Sequence, residues 1–223
     1  MSSRDDSATE FEEFVATSTR VLDTAHAGLL DALASVDPQP GVWHPTGFAI
    51  WRLRTLPNGI TLRLHVWPSH GRHVRDWGPQ IHAHGWHLAS RVLTGTYRDR
   101  LFRVSDTTTL ASGVRPMNGY EVSHLDGGIS EIIPNCEEVY VEAAESRVVL
   151  AGEAHFIHHG IFHETSIPAT DLVATLIAMG PMVTDRSIAL EDSAHDIRQH
   201  QRMVVGEQEQ KSILSDLLRH IRQ

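Results

Sequence analysis

The sequence predicts a mainly β sandwich or barrel with helices at both ends, and three observations predict it. The central stretch alternates apolar and polar residues with a period of two, Asn-Gly and single-glycine turn signals recur at close spacing, and no helical pattern separates the strand-like runs. Strands alternating with helices would have pointed to a parallel α/β sheet instead.

The first element is helical. Phe11, Phe14, Val15, Val21, Leu22, Ala25, Leu29, Leu30 and Leu33 recur at helical spacing, so one or two helices are expected to lay an apolar face on the body of the protein. Residues 1–40 form this N-terminal segment, closed by the breakers of Asp37-Pro-Gln-Pro-Gly41. Runs at 48–56 and 60–67 are joined by Pro57-Asn58-Gly59, a strong hairpin signal. Further strands are expected at 80–94, 97–104, 137–142, 147–151, 155–158, 163–167 and 172–178. Residues 105–135, rich in Gly, Ser, Thr and Asp, read as an irregular hairpin or a flap. The β body is thus assigned to 41–182 and a C-terminal helical tail to 183–223. In that tail Ile213, Leu214, Leu217, Leu218 and Ile221 make one side of a helix over 207–221.

Composition narrows the function. A chain of 223 residues with 41% hydrophobic content can bury a substantial core without a disulfide. A net charge of -9 argues against a nucleic-acid partner, which needs a basic footprint. No apolar run approaches the roughly 20 residues needed to cross a bilayer. The opening MSSRDDSATEFEEF is too acidic for a signal or transit peptide, and Cys136 is the only cysteine. A cytoplasmic location is the expectation.

Sixteen histidines are many for this length, and their placement is informative. In Ile81-His82-Ala83-His84 the two imidazoles are two residues apart and share a strand face. Both can therefore reach one metal ion at about 2.0–2.1 Å. His-x-His also arises by chance on surface strands; here apolar residues follow it, Gly95 closes the strand, and a second histidine cluster, His155-Phe-Ile-His158-His159-Gly160-Ile-Phe-His163, lies on a late strand. By alternation His155, His158 and His159 are expected on the outer face or in the turn.

On these residues the chain resembles the cupin superfamily over roughly 48–181. His82 and His84 match the first motif, with Gly95 in its closing glycine slot; Gly152, His158, Gly160 and His163 fill the frame of the second. The resemblance implies a cupin jelly-roll barrel with flanking N- and C-terminal helices, and one divalent metal ion held by His82, His84 and His163. Leu88 stands where the first motif has its glutamate ligand, leaving three neutral histidines and open coordination positions.

A three-histidine cupin is similar to the cysteine dioxygenase branch, the thiol dioxygenases, and Gly95-Thr-Tyr-Arg-Asp-Arg-Leu-Phe102 resembles that family's following strand. This implies Fe(II), no organic cofactor, and a small-molecule substrate with O₂ as partners. Homodimerisation follows by analogy with many cupins. The strand carrying Arg52 and Arg54 resembles the one supplying that family's carboxylate-binding arginine, and these two share a face without a choice between them. Met179 and Ile177 fall in the slots of the family's tyrosine and paired histidine, so the expectation is iron-dependent oxidation of an amino-acid or thiol-like carboxylate rather than of cysteine itself. His87 is either a fourth ligand, given a bulge at Gly85, or a hydrogen-bonding group behind the ligands. Arg63 and His65 share a face and line the substrate pocket if that face points inward, and Trp86 is placed to touch substrate. No residue is assigned to proton transfer. The rival functions are a non-oxidative metal cupin (isomerase, lyase or hydrolase) and a ligand-binding cupin module.

Overall fold

A computed structural model describes residues 3–35, 40–74, 80–107, 113–125 and 128–222, without the side chains of 3–7, 30–35, 136 and 137. The breaker loop at 37–41 and the side chain of Cys136 therefore lie mostly or wholly outside the described residues.

The protein is mainly β with two flanking helices. Helix α1 spans Ser3–Ser35, so the periodicity beginning at Phe11 belongs to one continuous helix. Then come β1 (Val42–Trp43), β2 (Ala49–Thr55), β3 (Thr61–Trp67), β4 (Ile81–Ala83), β5 (Trp86–Thr94), β6 (Thr96–Ser105), β7 (Arg115–Leu125) and β8 (Ile129–Leu150). The chain continues through β9 (Ala154–Ile157), β10 (Phe162–Ser166), β11 (Val173–Met182), β12 (Ser187–Glu191), β13 (Arg198–Gln201) and helix α2 (Glu207–Ile221). The strands form two antiparallel sheets, one ordered β1-β2-β3-β11-β5-β9 and the other β13-β8-β6-β10-β4-β12-β7, with β7 also pairing to β8.

Among the described residues of the stretch expected as a hairpin or flap, β7 pairs antiparallel with the first part of β8. β8 is a single strand of 22 residues where two short ones were expected, because its first half pairs with β7 and its second half with β6. The segment 183–223, expected as a helical tail, holds β12 and β13, so the second sheet draws on residues beyond 182. Pairing decides there: Ala189 is the register partner of both His82 and Tyr120, and the short polar β13 needs only one neighbour, β8.

Alternation divides each strand of the first sheet between two environments. Leu62, Leu64 and Val66 of β3 face outward with Ala174, Leu176 and Ala178 of β11, and the helices cover them with Phe14, Leu22, Leu29, Ile213, Leu214 and Leu217. Each fully buried leucine here contributes about 1.5–3 kcal/mol. Helix α2 is also fixed by polar contacts. Glu209 accepts the Gly206 backbone N–H at 3.2 Å and the Trp43 indole N–H at 3.2 Å, and Gln210 accepts from the Trp51 indole at 2.9 Å. The opposite set, Thr61, Arg63, His65 and Trp67 of β3 with Thr175, Ile177 and Met179 of β11, faces a cavity of about 1010 Å³ that both sheets line.

Candidate metal centre

The chain passes from the second sheet to the first between β4 and β5, at His84 and Gly85. Gly85 permits that crossing. Its carbonyl accepts the backbone N–H groups of Val183 (2.7 Å) and Thr184 (3.0 Å), and a Cβ there would press on the Thr184 carbonyl and lie 2.7 Å from that of Arg186. His82 on β4 is the direct register partner of His163 on β10. The turn before His163 is latched to the first pair, since Gly160, at φ +73°, donates its N–H to the His84 carbonyl at 2.9 Å. Two short strands and one latched turn thereby converge three imidazoles.

The ring centroids are 4.5 Å apart for His82–His163, 4.8 Å for His82–His84 and 5.2 Å for His84–His163. One nitrogen from each ring lies within 4.8 Å of the others, so small ring rotations bring all three onto one ion. The tautomers suit ligation. His82 Nδ1 lies 3.0 Å from the Gln80 carbonyl and His163 Nδ1 3.1 Å from that of Ile161. A carbonyl can only accept, so each Nδ1 carries the proton and each Nε2 keeps its lone pair for a metal. His84 is held by stacking on Trp86, centroids 4.7 Å apart at 16°. Burial, then the neighbouring imidazoles, holds His84 well below its usual pKa and His163 at about 3. His82 is lowered by burial against the opposing Gln80 hydrogen bond. All three are neutral, the form that binds metal. The residues present fit a divalent ion.

A second histidine triad combines His87, on the outer face of β5, with His158 and His159 of the turn after β9. His87, His158 and His159 bring ligand atoms within 4.8 Å of one another, with centroids 4.6, 4.8 and 4.1 Å apart. Here the tautomers differ. His87 Nδ1 accepts the backbone N–H of His159 at 3.1 Å, so the neutral ring carries its proton on Nε2, the atom that would have to bind. That Nε2 is buried without a hydrogen-bond partner among the described residues. Phe11 and Phe14 of α1 pack against the His87 ring at 5.0 and 5.4 Å. His87 is thus no fourth ligand of the inner triad, because alternation from Trp86 turns it outward.

The remaining expected residues separate by face. Trp86, Arg63 and His65 line the cavity; the Trp86 Nε1 and His65 Nε2 are buried without hydrogen-bond partners among the described residues. Arg52 and Arg54 do not line it: both are exposed, and Arg52 donates to the Thr55 hydroxyl at 2.7 Å. A register irregularity between them breaks the alternation that paired them. His155 was expected outside but points in. It is 2% exposed, with Nε2 3.4 Å from Asp99 Oδ2. Burial raises Asp99 to about 6 and lowers His155 to about 3, so the two are held toward their uncharged forms. Cavity residues missed by the sequence reading include His44, His124 and Arg202, brought in from the turn after β1, from β7 and from the segment after β13.

No family model matches the chain, and no curated protein matches it. Among solved structures it is similar to a chain of the crystal structure of Drosophila melanogaster CENP-C bound to CAL1, at 12% identity and a TM-score of 0.35, over 73% of this chain and 99% of that one. A likeness of that size carries no argument about fold or function. What stands is a mainly β sandwich whose inner histidine triad could hold a metal.

Proposed function

We propose that the chain is a metal-dependent cupin enzyme, a mononuclear non-haem iron oxygenase acting on a small amino-acid or thiol-like carboxylate. The observation that carries this reading is the inner triad. Three neutral imidazoles, two of them with Nδ1–H tied to carbonyls, meet in a cavity of about 1010 Å³ large enough for a metabolite. His82, His84 and His163 would hold the ion, and a bound Fe(II) supplies redox chemistry with open positions for substrate and O₂. The protein's own part is positional. Trp86 fixes the His84 ring and offers its unpaired indole N–H, while Phe48 and Trp67 wall His65 at centroid distances of 4.8 and 6.1 Å. Ile177, Met179 and Leu88 supply an apolar wall that limits water beside the triad.

One observation favours a second reading. The donor set has no carboxylate, and three histidines also suit Zn²⁺ as a Lewis acid for hydrolysis or isomerisation. Metal analysis and an oxygen electrode separate the two. Protein purified without chelator is expected to hold one iron per chain, lost in His84→Ala, and to consume O₂ with a member of an amino-acid and thiol panel. Stoichiometric zinc with no O₂ uptake would transfer the assignment to the second reading, and no metal at all would remove both.

A further inference from the structure

The cavity has a charge that the rest of the molecule does not. The chain carries a net -9, yet three arginines, Arg63, Arg72 and Arg202, line the space beside the inner triad. Arg72 is committed to structure, donating to the carbonyls of Pro68, Ile167, Pro168 and Asp171. Arg202 donates from Nε to the Ser130 hydroxyl at 3.1 Å and lies 3.1 Å from His124 Nδ1, both uncharged partners. Arg63 has no hydrogen bond or ion pair among the described residues. Of the cavity's carboxylates, Glu164 is paired with Arg100 at 2.7 Å and Asp99 accepts from Thr165 at 3.2 Å beside His155. Neither answers the two guanidinium groups.

Arg63 and Arg202 also feel each other. Burial lowers Arg63 to about 10, and the Arg202 charge, followed by that of Arg52, adds to the effect. Burial lowers Arg202 as well. Both remain cationic at neutral pH. A guanidinium cannot escape its desolvation cost by losing a proton, so two half-buried ones side by side call for an anion. Their position relative to the triad follows from β3. Arg63 lies level with Ser90 across β11 and His65 level with Val92, so Arg63 is the nearer of the two to the Trp86 and His84 end of β5, within the cavity that the triad shares.

We propose that Arg63 and Arg202 form an oxyanion subsite within the triad's cavity, and that the substrate is a small molecule bearing a dianionic group, a phosphate or a pair of carboxylates, with its other end at the triad. Two forked cations match two negative charges, and the Ser130 and His124 side chains fix one of the forks. The placement of the other end rests on the metal reading; the subsite itself does not.

The test therefore uses the full chain free of metal. Inorganic phosphate, succinate and acetate are titrated by calorimetry into wild type, Arg63→Gln, Arg202→Gln and His84→Ala, with metal content measured on separate metal-loaded samples. Wild type is expected to bind phosphate or succinate at least tenfold more tightly than acetate, which also distinguishes the two dianion types. Each arginine variant should weaken that binding at least tenfold while keeping wild-type metal stoichiometry. His84→Ala should lose metal and keep the anion. Absence of saturable dianion binding by wild type, equal binding by the arginine variants, or loss of the anion in His84→Ala would overturn the subsite. If a glutamine variant fails to fold by circular dichroism, the lysine variant replaces it; it keeps the charge but not the fork, and wild-type affinity there would equally overturn the proposal. A metal-free triad with normal anion binding would instead sink only the enzyme reading.

Discussion

His84 and His87 stand three residues apart, each in a cluster of three imidazoles, and they end in opposite surroundings. The inner cluster faces a cavity, and its hydrogen bonds run from Nδ1–H to carbonyls, leaving metal-binding lone pairs converging. The outer cluster sits under Phe11 and Phe14, and its central ring accepts a backbone N–H, which leaves the proton on the wrong nitrogen for binding. Spacing between histidines is therefore a weak criterion for a metal site. The partner of the far ring nitrogen discriminates where distance cannot.

The largest expected effect separates the clusters directly. His163→Ala should weaken divalent-metal affinity by more than about 100-fold, whereas His158→Ala and His159→Ala leave one ion per chain; two ions per chain in wild type, by mass spectrometry of metal content, would break the distinction. Next is the crossing that builds the inner cluster. Gly85→Ala pushes a methyl group into the Thr184 and Arg186 carbonyls and should cost about 2–4 kcal/mol in denaturant unfolding. The outer cluster should show itself through pH. Burial, then His158 and His159, holds His87 at about 4, below the usual 6.5 of imidazole, so the unfolded chain takes up the proton first on acidification. Its contribution is complete above about pH 6.5 and is lost as pH falls towards 4. His65, His124 and His155 share this sign, so the measurement is the difference between wild type and His87→Phe. The fall in melting temperature over that window should be shallower in the variant. The smallest effect concerns arginines on opposite sides of the sheet. Arg52→Ala and Arg54→Ala, both exposed, should change stability by no more than about 0.5 kcal/mol and leave substrate KM unaltered; a raised KM would return these residues to the site.

What was legible in the sequence follows the range of the interactions. The helix at 207–221 was readable to its bounds because its apolar stripe and its own hydrogen bonds are local. The shared face of His82 and His84 was readable from a period of two, whereas His163 entered only through the resemblance to a family motif; the three rings do lie together. The inward aim of His155 was missed because β9 is only four residues long, too short for alternation to declare its face. β12 and β13 were missed because their strand character is supplied by partners in β4, β7 and β8, distant in sequence. Arg202 escaped for the same reason: nothing in its neighbourhood announces that it will stand beside Arg63. The bulge between Arg52 and Arg54 reversed a face that simple counting had assigned.

The crossing at Gly85 has a mechanical corollary. Two rings of the inner cluster ride on adjacent strands of one layer, while the third belongs to the bend that leads into the other. A cation gripping all three would rivet the layers at their corner. Stripping it would free them to slide, so tight retention of the ion and easy opening of the chamber pull against each other.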